Sequence, residues 1–327
     1  MSNDPGLAAD TCIFMESVSG DGGVHNANVW WLSPDIVLNG PVSGPDKADP
    51  GQVNSVDVNF HRKGAESNCS FPGAESLIVE LWVGNPSIAM TPGNQTSTKQ
   101  IQLIGTQLPP EGSSGTLHIN WALGANVPPS QPDSPGHKCL IARVYPDNLV
   151  PSGTSFFVPG DQHVAQRNIC VVPCGGPGAA RKPGPCGFEV TTANINLKEA
   201  ERVTVSAILD LHPNEFVRTT VLRSLERQAG FKKLATRAPS GFRFDLREFP
   251  DAKISDHTGA PGCLGLLLGG QRRFTASINL ETNQVVHLPF VADLGTAEFG
   301  DAFIFHLTQI GPANQRQGGL TLVMVSG

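Results

Sequence analysis

Residues 53–61, VNSVDVNFH, alternate without a break. Val56, Val58 and Phe60 fall on one face, and Ser55, Asp57 and Asn59 on the other. A period of two predicts a half-buried β-strand. Five more short apolar segments follow in the same half: 75–84, 99–106, 115–123, 137–145 and 167–172. Residues 24–38 read as extended segments broken at Ser33–Pro34. Clusters of Gly, Pro, Asn and Ser separate these runs, as turns require. The insert at 39–52, NGPVSGPDKADPGQ, reads as a long surface loop.

The second half repeats the pattern in class, without repeating the sequence. Strands are predicted at 188–197, 201–212, 241–249, 264–270, 272–281, 284–294, 301–311 and 318–326. One helix interrupts them, near 214–229. Asn214 is a good N-cap and Glu215 suits the first turn. Val217, Val221, Leu222, Leu225 and Ala229 share one face at helical spacing, and Gly230 stands where a helix would end. Between the halves lies PCGGPGAARKPGPCG, residues 173–187. It has no apolar stripe to anchor it and reads as a linker. The expected fold is therefore all-β: two immunoglobulin-like β-sandwich domains, at 1–172 and 188–327, the second carrying a short helical insertion.

The chain has 327 residues, ample for two buried cores. Its net charge of −6 is uneven. Residues 1–173 hold 7 basic against 15 acidic side chains, and residues 174–327 hold 16 against 14. An acidic front half argues against nucleic acid as its ligand. Such asymmetry also suits head-to-tail contact between copies. A basic run between 214 and 253 reads first as a solvated face, and second as a surface for an anionic partner. No apolar stretch is long enough to span a bilayer, so no membrane insertion is expected. The start, MSNDPGLAAD, has neither a basic nor an apolar signal region, so a soluble chain without a secretory signal is expected.

The stretch 160–172, GDQHVAQRNICVV, raises the question of chemistry. Its Asp161, His163 and Arg167 could form a catalytic cluster. The favoured reading is structural: a polar lead-in, with the strand starting near Arg167, whose side chains latch a crossing loop and fix register. Trp30 and Trp31 are adjacent, and in a strand they would face opposite ways. One would fill the core; the other would be covered by a loop or exposed as a binding surface. Seven cysteines leave at least one unpaired within the chain. Cys174 and Cys186 would close the linker as a disulfide in an oxidising compartment. A zinc site at Cys170, Cys174, Cys186 and His163 lacks the usual spacing, and no metal or other cofactor is expected. The Gly-x-Ser-x-Gly, His-Glu-x-x-His and Gly-Lys-Ser/Thr motifs do not occur.

Four segments in order carry a resemblance: VWWLSPDIVL, GQVNSVDVNFHRKG, GHKCLIARV and GDQHVAQRNICVV. Together they make residues 24–172 similar to a bacterial immunoglobulin-like module of the CARDB type. That resemblance implies a non-catalytic sandwich that spaces, binds or assembles, and an extracellular setting. It transfers no catalytic residues. The second half resembles no family. The first functional reading is a non-enzymatic structural or interaction protein, acting on a protein partner or on copies of itself. The alternative is a glycan- or ligand-binding accessory module using an exposed Trp30 or Trp31. The third is an enzyme with a site in the second domain around the helix.

Overall fold

In the computed structural model the chain divides into two units. The first is residues 1–85 and 90–168; the second is Pro86–Ala89 and Ile169–Gly327. The structure describes residues 4–85, 87–89, 98–128, 131, 133, 136–152, 158–175, 185–196, 198–255, 265–266, 272–295 and 297–327. The centre of the expected linker, Cys263 and most of the strand expected at 264–270 lie outside the described residues. Strands dominate both units, and among the described residues there is a single α-helix. No described helix is long and apolar enough to cross a membrane.

The first unit is built from β1 (Ile13–Phe14), β2 (Ile36–Gly40), β3 (Val53–Arg62), β4 (Ser76–Gly84), β5 (Thr98–Gln107), β6 (Ser114–Ala122), β7 (Cys139–Pro146) and the start of β8 (Val164–Cys174). One sheet places β3 between β6 on one side and β2 and β1 on the other. The other runs β8, β7, β4, β5. Val56, Val58, Phe60, Ile36 and Leu38 of the first sheet pack in one core with Leu77, Val79, Leu81, Leu140 and Val144 of the second. This is the burial that the alternation at 53–61 requires. At Gly115, opposite Phe60, an added Cβ would lie 2.5 Å from the Phe60 ring, so that ring takes the space a side chain would need.

The second unit comprises the end of β8, then β9 (Pro185–Ala193), β10 (Glu201–Asp210), α1 (Glu215–Ser224), β11 (Gly241–Phe244), β12 (Lys253–Ser255), β13 (Arg272–Leu280), β14 (Val285–Asp293), β15 (Asp301–Ile310) and β16 (Arg316–Ser326). One sheet has the order β9, β14, β11; the other runs β12, β13, β10, β15, β16, with residues 169–174 of β8 parallel to β16. Their facing sides share a core in which Phe242, Phe244, Phe274, Phe290 and Phe305 interlock edge to face or tilted. The short segment Ser87–Ala89 belongs here too: the Ile88 amide donates to the Thr191 carbonyl at 2.9 Å.

Several expectations need correction. The two units divide between Asn168 and Ile169, inside β8, and strand runs into the segment read as a linker from both sides, at 173–174 and 185–187. Strand β8 begins at Val164 instead of near Arg167, so Gln166 lies within it together with Arg167 and Asn168. All three are polar yet buried and bonded. The insert at 39–52 is no loose loop. Two short strands, Gly44–Pro45 and Lys47–Ala48, form there, and Asp49 is buried. Its carboxylate accepts from the Val42 amide at 2.7 Å, the Ser43 amide at 2.9 Å and the Ser43 hydroxyl. The helix is capped by Asn214 as read, with Oδ1 accepting from the Val217 amide at 2.9 Å, but it ends at Ser224, short of 229.

Candidate functional site

Asp161, His163 and Arg167 all sit in the first unit, held in two separate clusters. The His163 side chain is 0% exposed. Its Nδ1 lies 2.9 Å from Asp161 and its Nε2 lies 3.0 Å from Asp10. Burial alone would lower the imidazole pKa; the hydrogen bonds and charges of the two carboxylates outweigh that and leave it raised. Asp10 also accepts from the Cys12 amide at 2.8 Å and the Ile13 amide at 3.3 Å. Gln162 donates to the Ile13 carbonyl at 2.7 Å. Arg167 forms a two-pronged pair with Asp46, at 2.8 and 3.0 Å, and reaches the Leu32 carbonyl at 3.2 Å. Both clusters tie distant chain to β8 and leave no open side for a substrate. Sequence reasoning missed Asp10 and Asp46 because they stand 153 and 121 residues from their partners.

Trp30 and Trp31 are each 1% exposed, so of the two readings for the second ring, covered or exposed as a binding surface, it is covered. They lie in a turn, so the rule that neighbours in a strand point oppositely does not apply. Their rings meet edge to face with centroids 5.6 Å apart. Cys174 and Cys186 are joined in a disulfide, and so are Cys12 and Cys69, a pair the sequence reading did not propose. Cys139 and Cys170 are buried thiols. Burial drives the Cys139 pKa up, against the hydrogen bond from Gln166, so that thiol is inert as a nucleophile. No group among the described residues is arranged to hold a metal ion.

The solvent side of β3 and β6 gathers the accessible polar chemistry. The Arg62 amide donates to the Ser113 carbonyl at 2.9 Å. That bond makes His61 and Ser114, the facing residues one step inward, a non-hydrogen-bonded pair. Every second pair shares that class: Asn59 with Thr116 and Asp57 with His118. Side chains in such pairs approach closely. Thr116 donates to Asn59 at 2.7 Å, and His118 Nδ1 lies 2.6 Å from Asp57.

At the end of this ladder, Ser114 Oγ lies 2.6 Å from His61 Nδ1. The other ring nitrogen, Nε2, faces both Asp35 oxygens at 3.1 and 3.0 Å. Asp35 is buried at the entry to β2 and also accepts from the Glu16 amide at 2.6 Å. The hydrogen bond to Asp35 raises the His61 pKa; partial burial opposes it, and the charges of Asp35, Glu16 and Asp21 add to it. Phe14 stacks on the His61 ring at 5.0 Å. The spacing of Asp35, His61 and Ser114 in the sequence carries no motif, because cross-strand register brings them together.

No family model and no curated protein matches the chain. Among solved structures, it is similar to the CupB6 tip adhesin from Pseudomonas aeruginosa at 9% identity. That match covers 90% of this chain and 97% of the adhesin with a TM-score of 0.20, too low to carry an argument about either fold or function.

Proposed function

We propose that this chain is a structural or interaction protein that presents strand edges and loops to a protein partner or to copies of itself. The observation that carries this reading is β5. Among the described strands it pairs with β4 alone, and no described strand pairs with its second edge. It is 10 residues long, and Leu103 and Ile104 are 57% and 38% exposed. Its single charge, Lys99, is held by Asp133 at 2.6 Å. A long, nearly uncharged edge with exposed apolar side chains is a template for another strand. The immunoglobulin-like, CARDB-type reading of residues 24–172 belongs to this proposal. It is supported by two sheets packed through the strands that the resemblance names.

The test is solution mass by light scattering, at low and high salt and at several concentrations. Assembly through β5 predicts species larger than the monomer that disappear in the double variant L103K/I104K, since lysines blunt an edge. A wild-type monomer under every condition sinks the self-assembly form of the reading and leaves an outside partner. The glycan alternative has lost its supporting feature with the burial of both tryptophans.

A further inference from the structure

We propose that Ser114, His61 and Asp35 form a nucleophilic site that hydrolyses neutral or cationic carboxylic esters. This goes beyond the interaction reading and stands on different residues.

The argument is geometric. Nε2 of His61 faces a carboxylate, so the ring carries its proton there and presents a lone pair at Nδ1. That lone pair meets the Ser114 hydroxyl at 2.6 Å. A nucleophile on its base, and the base on an orienting carboxylate, is the arrangement that activates a serine. The roles of the two ring nitrogens are exchanged relative to the usual protease triad, which leaves the chemistry unchanged. Each member is fixed independently. Asp35 is held by the Glu16 amide, His61 is stacked on Phe14, and Ser114 is placed by register. The hydroxyl is accessible, because Ser114 is exposed and the His61 side chain is 22% exposed. In a non-hydrogen-bonded pair the Ser114 amide points away from β3, towards the side of β6 that no described strand covers. It is positioned to donate to an oxyanion formed on Oγ.

The step balances with water as the only co-reactant. His61 Nδ1 takes the hydroxyl proton as Oγ bonds to the ester carbonyl carbon. The ester C–O bond then breaks, and the alcohol leaves with that proton. A water molecule gives a proton to Nδ1 and its oxygen attacks acyl-Ser114. The carboxylic acid departs, and the proton returns to Oγ. Asp35 is a positioning residue: it holds the ring and stabilises the imidazolium. Glu16, Asp21 and Asp35 all lie near His61 and are acidic, and so disfavour an anionic ester. Lys63 reaches Phe14, on which the ring stacks, at 5.7 Å from its centroid.

The experiment treats the full chain with a neutral fluorophosphonate and with p-nitrophenyl acetate, and locates the adduct by peptide mass spectrometry. The expected result is one adduct per chain, on Ser114. It disappears in S114A, an exposed substitution, and forms about 10²-fold more slowly in H61Q, the scale of general-base assistance. Its rate rises with pH through a midpoint above 6.5, because the base must lose its proton, and D35N moves that midpoint down. Wild-type protein without an adduct at Ser114 overturns the proposal. So does an adduct that forms equally fast in H61Q.

Discussion

The two units bury different things. The first puts charge inside: His163 between Asp10 and Asp161, Arg167 on Asp46, and Arg143 on Glu80 at 2.7 Å. The second centres on five phenylalanines, and its buried polar groups are mainly uncharged, as where Gln309 donates to Gln317 at 2.7 Å. The chemistry follows the shape of the task. In the first unit, segments with little or no regular structure, such as 4–12 and 41–49, must be held against the longer strands, and their backbone groups need partners. In the second, long ladders satisfy the backbone, and packing supplies the rest.

The largest effects come from removing the centre of each arrangement. His163→Leu leaves two buried carboxylates facing each other and costs about 3–5 kcal/mol. Phe290→Ala, at the hub of the phenylalanine cluster, costs about 3–5 kcal/mol by cavity formation. Urea unfolding measures both, and pH separates them. A raised His163 pKa contributes stability that is fully present below 6.5 and is lost as pH rises through the folded-state value. The first unit therefore weakens as pH rises above 6.5 and through the folded-state value, and His163→Leu shrinks that change to what His61 supplies, a group with the same sign. The Phe290 contribution stays constant over the same range. Equal pH responses in both variants would break the comparison.

The disulfides sharpen it next. Cys12–Cys69 closes 57 residues of chain and Cys174–Cys186 closes 12. Chain entropy assigns about 4 kcal/mol to the first and about 3 kcal/mol to the second. Paired serine variants, compared by thermal unfolding, should show the first unit losing more. The smallest effect is Asp49→Ala, which strips two amides of their acceptor for about 1–2 kcal/mol. Hydrogen exchange should quicken at Val42 and Ser43 and stay unchanged in the second unit.

Where one face is apolar and the other polar, the sequence was legible. Residues 53–61, 75–84 and 201–212 emerge as strands close to their expected bounds. The helix start was legible for the same kind of reason, since a cap is a local interaction. What misled was burial that does not look apolar. Gln166 reads as part of a polar lead-in until Cys139 and the Ser33 amide are brought to it. Gly, Pro and Asp at 39–52 have the composition of a loose loop, and only the hydrogen bonds of Asp49 distinguish a pinned one. The His61–Ser114 pair was hidden for a further reason: it depends on which pairs of a ladder lack backbone hydrogen bonds, and alternation alone does not tell that.

The parallel pairing of β8 with β16 also sets a clock. Ile169 waits for Thr321, 152 residues further on. At a translation rate of about 5–20 residues per second, that delay is about 8–30 seconds. Throughout it the apolar run Ile169–Val172 has been synthesised and lacks its parallel partner. Nascent second units are thus most vulnerable to capture by other strands, or by chaperones, during synthesis, before their sheet can close.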